Sequence, residues 1–562
     1  MRWFVLIAIV GSPFAARAAE PRDELLRLVP NDTAICLVVQ GLRDRSKAVG
    51  ESPLADWIGA NAKSTLGTAP ELQKLKEVET LFSTFLGVTP ADLRDEIFGD
   101  AIVLGYQPGP PGKPDGERGF VMLKARDPAK LAALVDKLNS LQKSSGELTS
   151  IDARTHRDRK YQRRSKGDAG GEYYLLDDGL FVFAAQEAAI HSVIDRRLDA
   201  KPEPGLVAKS AARLGVDKAF LYCWFNPRRL DAEVMAHVAA AANERERATR
   251  RQFARIWSAA DDLAIYLDAG KELELGFAAA YRADAMPAEL KAVLASPPRP
   301  SALWSSVPEK ALAAFAGRAS GNELLDAALS FAPAEDRAAA RKEIEKAVGA
   351  VVGKDKASAM LGGVGPDWAV WATPPTVAGG FPGVTAAVRL DATDATVSPA
   401  VLKTVQFYLQ LLQVQYNREH DDAIESKSEQ VENAIVESFS NATLFPPGYR
   451  PAFGLVDGHI VFASSPELVG AFRVAATPKA GPRTPFLRVS GEAFREYFET
   501  HGPALAKWVA DRQDRPVAEV AKEFQTISEV LKAFDRGEVF IEGSNGVMKL
   551  AVRVKFVKPL SK

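Results

Sequence analysis

The stretch LLDDGLFVFAAQEAAI, residues 175–190, returns further along the chain as GLVDGHIVFASSPELV, residues 454–469. Aligned on Asp178-Gly179 and Asp457-Gly458, Leu176, Val182, Phe183 and Ala184 match Leu455, Val461, Phe462 and Ala463. Other segments correspond in the same order. VPNDTAICLV from Val29 parallels VPEKALAAFA from Val307, and GDAIVLGY parallels PDWAVWAT. GFVMLKARD parallels GVTAAVRLD, AFLYCW parallels PFLRVS, and the strand pair from Asp261 parallels the one from Gly537. A repeat of this length predicts a tandem duplication, so whatever one half folds into, the other half must fold into as well. The proline-rich ASPPRPSALW, residues 295–304, marks the join, giving domains over 19–297 and 298–562.

Within a repeat, short β-branched and aromatic runs alternate with helical stretches. Asp178-Gly179 supplies the positive φ of a tight hairpin turn, and LFVFA is its return strand. DPAKLAALVDKLNSL reads as a helix with Asp127 as N-cap and Pro128 in its first turn, and places Leu131, Leu134, Val135 and Leu138 on one face. In the second repeat, Ser464 and Glu467 have the spacing of a capping box for a helix beginning near Pro466. These signals predict an α+β fold of largely antiparallel sheet with packed helices; a βαβα order with parallel strands is the alternative.

The N-terminus, MRWFVLIAIVGSPFAARAAE, combines Arg2, an apolar run from Trp3 to Val10, and small residues at Ala16 and Ala18. That pattern predicts a secretory signal peptide over residues 1–18, and hence an exported protein, periplasmic or extracellular. The run falls short of the roughly 20 residues of a membrane span, and no transmembrane segment is expected elsewhere. Export permits disulfides, but Cys36 and Cys223 each sit inside an apolar run and read as small buried hydrophobes, with pairing left as the alternative. At 47% hydrophobic and 25% charged, the 562 residues can bury sizeable cores. With 71 basic and 72 acidic residues no global field favours nucleic acid.

Chemistry-bearing motifs are scarce. The six histidines have no metal-ligand spacing, and no C-x-x-C, nucleophile elbow or P-loop is present, so no metal, cofactor or catalytic residue is assigned. Two segments depart from the repeat. HRDRKYQRRSK, residues 156–166, carries Arg157, Arg159, Lys160, Arg163, Arg164 and Lys166, and reads as an exposed ribbon that contacts an anion, a polyanion or a protein partner. Its alternative reading is an edge strand charged against aggregation. REHDDAIESKSEQVENAIVESF, residues 418–439, reads as an amphipathic helix whose stripe of Asp421, Glu425, Glu429 and Glu432 contacts a divalent cation or a partner, or is simply its wet face. Opposite charges in the two inserts suggest that they face each other, within the chain or between two chains.

The lead LVPNDTAICLVVQGLRD, together with YYLLDDGLFVFA running into a helix, resembles a broad group of bacterial exported proteins of unknown function, of the kind planctomycetes carry in numbers. The resemblance implies export and this kind of fold and brings no catalytic residues. The second lead, VPEKALAAFA, lacks its Thr-Ala pair. The expectation is therefore an exported, non-catalytic binding or structural protein of the cell envelope. The alternatives are a secreted hydrolase and a carrier that holds an apolar ligand between sheet and helices.

Overall fold

The computed structural model describes residues 20–53, 55, 80, 82–110, 116–167, 171–199, 203–270, 272–287, 291, 300–329, 332, 334–352, 362–375, 380–390, 397–474, 484–531 and 534–557. Residues 1–18, expected to be a signal peptide, and residues 292–299 of the proline-rich region lie outside them. The fold is α+β, and every strand pair among the described residues is antiparallel. The parallel alternative does not occur there. Two compact units are formed, the first from Met1–Arg43, Glu79–Gln107 and Glu117–Ser210, the second from Asp44–Val78, Pro108–Gly116 and Ala211–Lys562.

The first unit contains β1 (Ile35–Gln40), β2 (Ala101–Gln107), β3 (Arg118–Lys124), β4 (Ser150–His156), β5 (Arg159–Ser165), β6 (Gly171–Asp177) and β7 (Leu180–Ala184). Their order is β1-β2-β3-β7-β6-β5-β4. Period-two burial follows from the pleat. Val103, Met122 and Val182 are fully buried on one face. On the other face Leu131, Leu134 and Val135 of the helix Pro128–Ser144 pack on Ile102, Leu123, Phe181 and Phe183. That helix starts as expected, the Asp127 carboxylate accepting from the Ala129 and Lys130 amides at 3.0 Å.

The second unit contains β8 (Leu221–Phe225), β9 (Ala260–Ala269), β10 (Glu272–Tyr281), β11 (Ala313–Arg318), β12 (Val364–Thr373), β13 (Gly383–Leu390), β14 (Glu425–Val431), β15 (Ala434–Ser440), β16 (Ala452–Val456), β17 (His459–Ala463), β18 (Leu487–Ser490), β19 (Phe534–Ser544) and β20 (Val547–Phe556). The order is β8-β9-β10-β20-β19-β18-β11-β12-β13-β17-β16-β15-β14. Asp178 and Asp457, at φ 49° and 47°, precede Gly179 and Gly458, at 74° and 73°, so both Asp-Gly pairs close hairpins.

Two local expectations are corrected. Residues 425–440 are not helix: the helix Val397–Glu419 stops before them, and the β14–β15 hairpin follows. Ser464 does not cap the helix Pro466–Gly470, whose N-cap is Ser465 without a side-chain bond. The Ser464 hydroxyl instead accepts from the Val384 amide at 3.0 Å, across to β13. Cys36 and Cys223 are not joined in a disulfide.

Candidate functional site

Strand register in the second unit creates one continuous feature. Leu221 faces Leu267, which faces Leu275; Leu275 faces Val552, then Val539, Leu487, Phe315, Val370 and Ala386 follow, each opposite the last. Side chains in register project on the same side of a sheet, so these residues form one apolar row from β8 to β13, about 38 Å long at a strand spacing of about 4.8 Å. The row is open. Leu275 is 51% exposed and Val552 43%, with Phe315 and Val370 also exposed. Two positions further along each strand, a parallel row holds Leu273, Val554, Gly537, Val489, Ala313, Ala372 and Val384. On the opposite flank are Cys223, Ile265, Phe277, Leu550 and Ile541. None of these carries a charge.

Helices stand on the same face beside the rows. Val401 and Val405 of the helix Val397–Glu419 pack on Val388 and Phe462, the next residues outward from Ala386. Phe494 and Phe498 of the helix Gly491–Gln513 join a cluster with Ala372. The arrangement is an apolar sheet face with helices packed beside it. On the reverse of these strands Arg553 meets Glu274 at 2.7 Å, the Tyr266 hydroxyl donates to Glu274 at 2.9 Å and the Lys549 ammonium donates to the Gly215 carbonyl at 2.8 Å; beyond Ala386 the row continues through Phe462 and Phe453 to the first charge on its own face, Glu437. A contiguous exposed apolar surface of this extent is more than the scattered apolar exposure of an ordinary protein surface.

The basic ribbon is the β4–β5 hairpin and the residue that follows it, and much of its charge is already spent within the first unit. Arg157 bonds Asp199 at 2.7 and 2.9 Å and Asp195 at 3.3 Å; Arg159 approaches Asp177 at 3.7 Å. Arg164 and Lys166 share Glu172 at 3.0 and 2.6 Å, and Arg164 also donates to Gln142. Lys160 is exposed and Arg163 half-buried on β5. The Asp199 carboxyl, bonded by Arg157, sits below the usual carboxylate range.

Beside this clasp is a titratable network that motif reading did not pick out. The buried Tyr161 hydroxyl donates to Glu187 at 2.5 Å and lies 2.9 Å from His191 Nε2; since the phenol has one proton, His191 is left to donate from Nε2. Burial, and then Glu187, push the Tyr161 phenol up to about 12. His156 Nε2 lies 2.8 Å from Asp195. Burial works to raise the Asp195 carboxyl, but the bonds from His156 and Arg157 outweigh it and the net shift is down. The signal for this network was Glu187, His191, Asp195 and Asp199 at four-residue steps along one helix, Glu187–Leu198, and just past its end. Its hydrogen bonds tie β4 and β5 to that helix.

The corresponding hairpin in the second unit shows what the scaffold itself requires. Counting from the turns, Val431 and Val436 stand where His156 and Tyr161 do, and Gly470 stands where His191 does. Val431 packs so closely on Gly470 that a Cβ there would lie 2.5 Å from its methyl. The turn clasp recurs with its polarity reversed, Glu432 at φ 48° pairing with Arg473, where Arg157 at φ 49° pairs with Asp195 and Asp199.

Of the expected acidic stripe, Glu425 and Glu429 point to one face of β14, Glu432 is in the turn and Asp421 lies between helix and strand. Glu429 is held by Lys427 at 2.6 Å and Arg450 at 3.1 Å, which together lower its pKa, Lys427 foremost. Among the described residues no group of three or more Asp, Glu, His or Cys side chains could hold a metal ion. No described helix is long and apolar enough to cross a membrane. No protein-family model matches the chain, and no curated protein and no solved structure is significantly similar to it.

Proposed function

We propose that this chain is an exported, non-catalytic binding protein of the cell envelope that carries an elongated, uncharged hydrocarbon partner, the acyl region of a lipid, along the apolar rows of its second unit. The row from Leu221 to Ala386 carries the reading. At about 38 Å it exceeds the roughly 15 Å that an acyl chain spans in one bilayer leaflet. Neither it nor the two flanking rows offers a charge or a strong hydrogen-bonding group, so a peptide or sugar laid there would lose its bonds to water without replacement. The network at His156 and His191 supports a non-catalytic reading, because its polar groups bond one another rather than converging on an open point.

Export rests on the N-terminal segment. A tandem duplication over 19–297 and 298–562 is part of the proposal, and strand order supports it. The series β1-β2-β3-β7-β6-β5-β4 recurs as β11-β12-β13-β17-β16-β15-β14, and β8-β9-β10 recurs as β18-β19-β20.

Protein purified from its producer, extracted with organic solvent and analysed by mass spectrometry, should yield a stoichiometric long-chain lipid. A fluorescent fatty acid should bind the emptied protein and be excluded by the double substitution Leu275→Lys, Val552→Glu, with thermal unfolding unchanged. Absence of any bound lipid, together with equal fluorescence for both proteins, would refute the carrier reading.

A further inference from the structure

The sheet of the second unit ends at β14, whose single strand partner among the described residues is β15. The hairpin has a two-residue turn, Glu432-Asn433, closed by Val431 opposite Ala434. In such a turn the closing pair exchanges both backbone hydrogen bonds, so Val431, Glu429, Lys427 and Glu425 direct N–H and C=O toward β15. Ser426, Ser428 and Gln430 direct theirs outward. Ser428 is the central residue of this seven-residue strand.

We propose that this edge pairs with the same edge of a second copy, antiparallel about Ser428, to form a symmetric dimer. Charge complementarity and strand overlap together select the partner and the register; centring on Ser426 also opposes Lys427 to Glu425 but engages only three residues of the strand. Pairing about Ser428 engages all seven residues and sets Lys427 opposite Glu429 of the second copy, twice by symmetry. Centring one residue earlier puts Lys427 against its own copy and Glu425 against Glu429; centring one later puts Glu429 against itself. Both of those registers oppose like charges.

A strand seam alone falls short of the roughly 1,200 Å² of a stable interface. The remainder lies beside it. Ile435, on β15, is 68% exposed. The helix Val397–Glu419 rests on the start of this hairpin, with Gln413 and Asn417 donating to the Ile424 carbonyl, and exposes Phe407, Leu411, Leu412 and Val414. The edge of the first unit, β4, could also oppose Asp152 to Arg154 about Ala153, but it lacks this apolar supply: in the helix Pro128–Ser144 the exposed large apolar residue is Leu138. The inference therefore attaches to β14.

Cysteine cross-linking reads the register directly. A hydrogen-bonded antiparallel pair sets its Cα atoms about 5.5 Å apart, inside the roughly 4.4–6.8 Å window of a disulfide. Mild oxidation of Ser428→Cys should yield a covalent dimer on denaturing gels, while wild type and Ser426→Cys, which would face Gln430, do not. Ser428→Pro removes only an outward N–H, so it should fold normally and dimerise at least about tenfold more weakly in sedimentation equilibrium. Lys427→Glu should weaken association about tenfold at low salt, and adding Glu429→Lys should restore it. A monomeric wild type at tens of micromolar, or cross-linking through Ala153→Cys in place of Ser428→Cys, would overturn the proposal.

Discussion

The imidazoles of His156 and His191 stack with ring centres 4.0 Å apart and planes 8° from parallel. Each ring keeps its own oxygen partner, Asp195 for His156 and Tyr161 for His191. Glu187 also borders the pair, through Tyr161. Burial, and then the neighbouring His156, hold His191 below the 6.5 of an ordinary histidine.

Protons therefore bind His191 more readily in the unfolded chain than in the folded one. Its contribution to stability is complete above about pH 6.5 and is lost as pH falls below that value. The Asp195 and Asp199 carboxyls act in the same sense, but only below the usual carboxylate range. The urea midpoint should fall between about pH 7.5 and 5.5, and His191→Gln should flatten that slope. Equal slopes in the two proteins would remove His191 as its source.

Gly179 and Gly458 occupy equivalent turns at nearly the same positive φ but in different surroundings. A Cβ on Gly179 would lie 2.8 Å from the Ala125 carbonyl oxygen, whereas one on Gly458 meets nothing within 4 Å. Ala125 is held in place by its own amide donating to the Gly179 carbonyl at 2.8 Å, so it yields little. Gly458→Ala should cost about 1 kcal/mol from the left-handed backbone alone, and Gly179→Ala about 2–3 kcal/mol. Chemical denaturation would refute this by giving the reverse order.

Trp224 is 1% exposed and its indole N–H donates to the Asp262 carboxylate at 3.0 Å. Asp262 is itself 8% exposed, and its other oxygen has Arg213 at 3.4 Å. Trp224→Phe leaves an opening where the indole was and an under-bonded buried carboxylate, and should destabilise by about 2–4 kcal/mol. Adding Asp262→Asn should recover part of that loss. A double variant no more stable than the single one would point to packing alone.

Much of the fold was legible because its signals are local. Asp178-Gly179 and Asp457-Gly458 demand turns whatever surrounds them, and Asp127-Pro128 starts a helix from its own bonding groups. Residues 418–439 misled for an equally physical reason. A spacing of four, as at Asp421, Glu425 and Glu429, is one turn of a helix and also two full periods of a strand, so it suits either. The buried alternation of Ala434, Val436 and Ser438 decided for the strand. Of the sites, the basic residues were identifiable as exposed chemistry, but their partners Asp195, Asp199 and Glu172 come from elements that only folding brings near.

Sequence by itself determined the alternation of hairpins and helices, the sparse catalytic vocabulary and the internal likeness of the two halves, since each depends on short-range backbone preference and composition. Tertiary structure alone decided that Leu221, Leu275, Val552, Phe315 and Ala386 stand in one line, and that Ser428 is the centre of a strand paired, among the described residues, on one side only. Both follow from strand order and register among distant segments, which no window along the chain contains. A strand carries only the alternation that allots its side chains to two faces; its neighbours determine which face stays open and whose side chains continue the row.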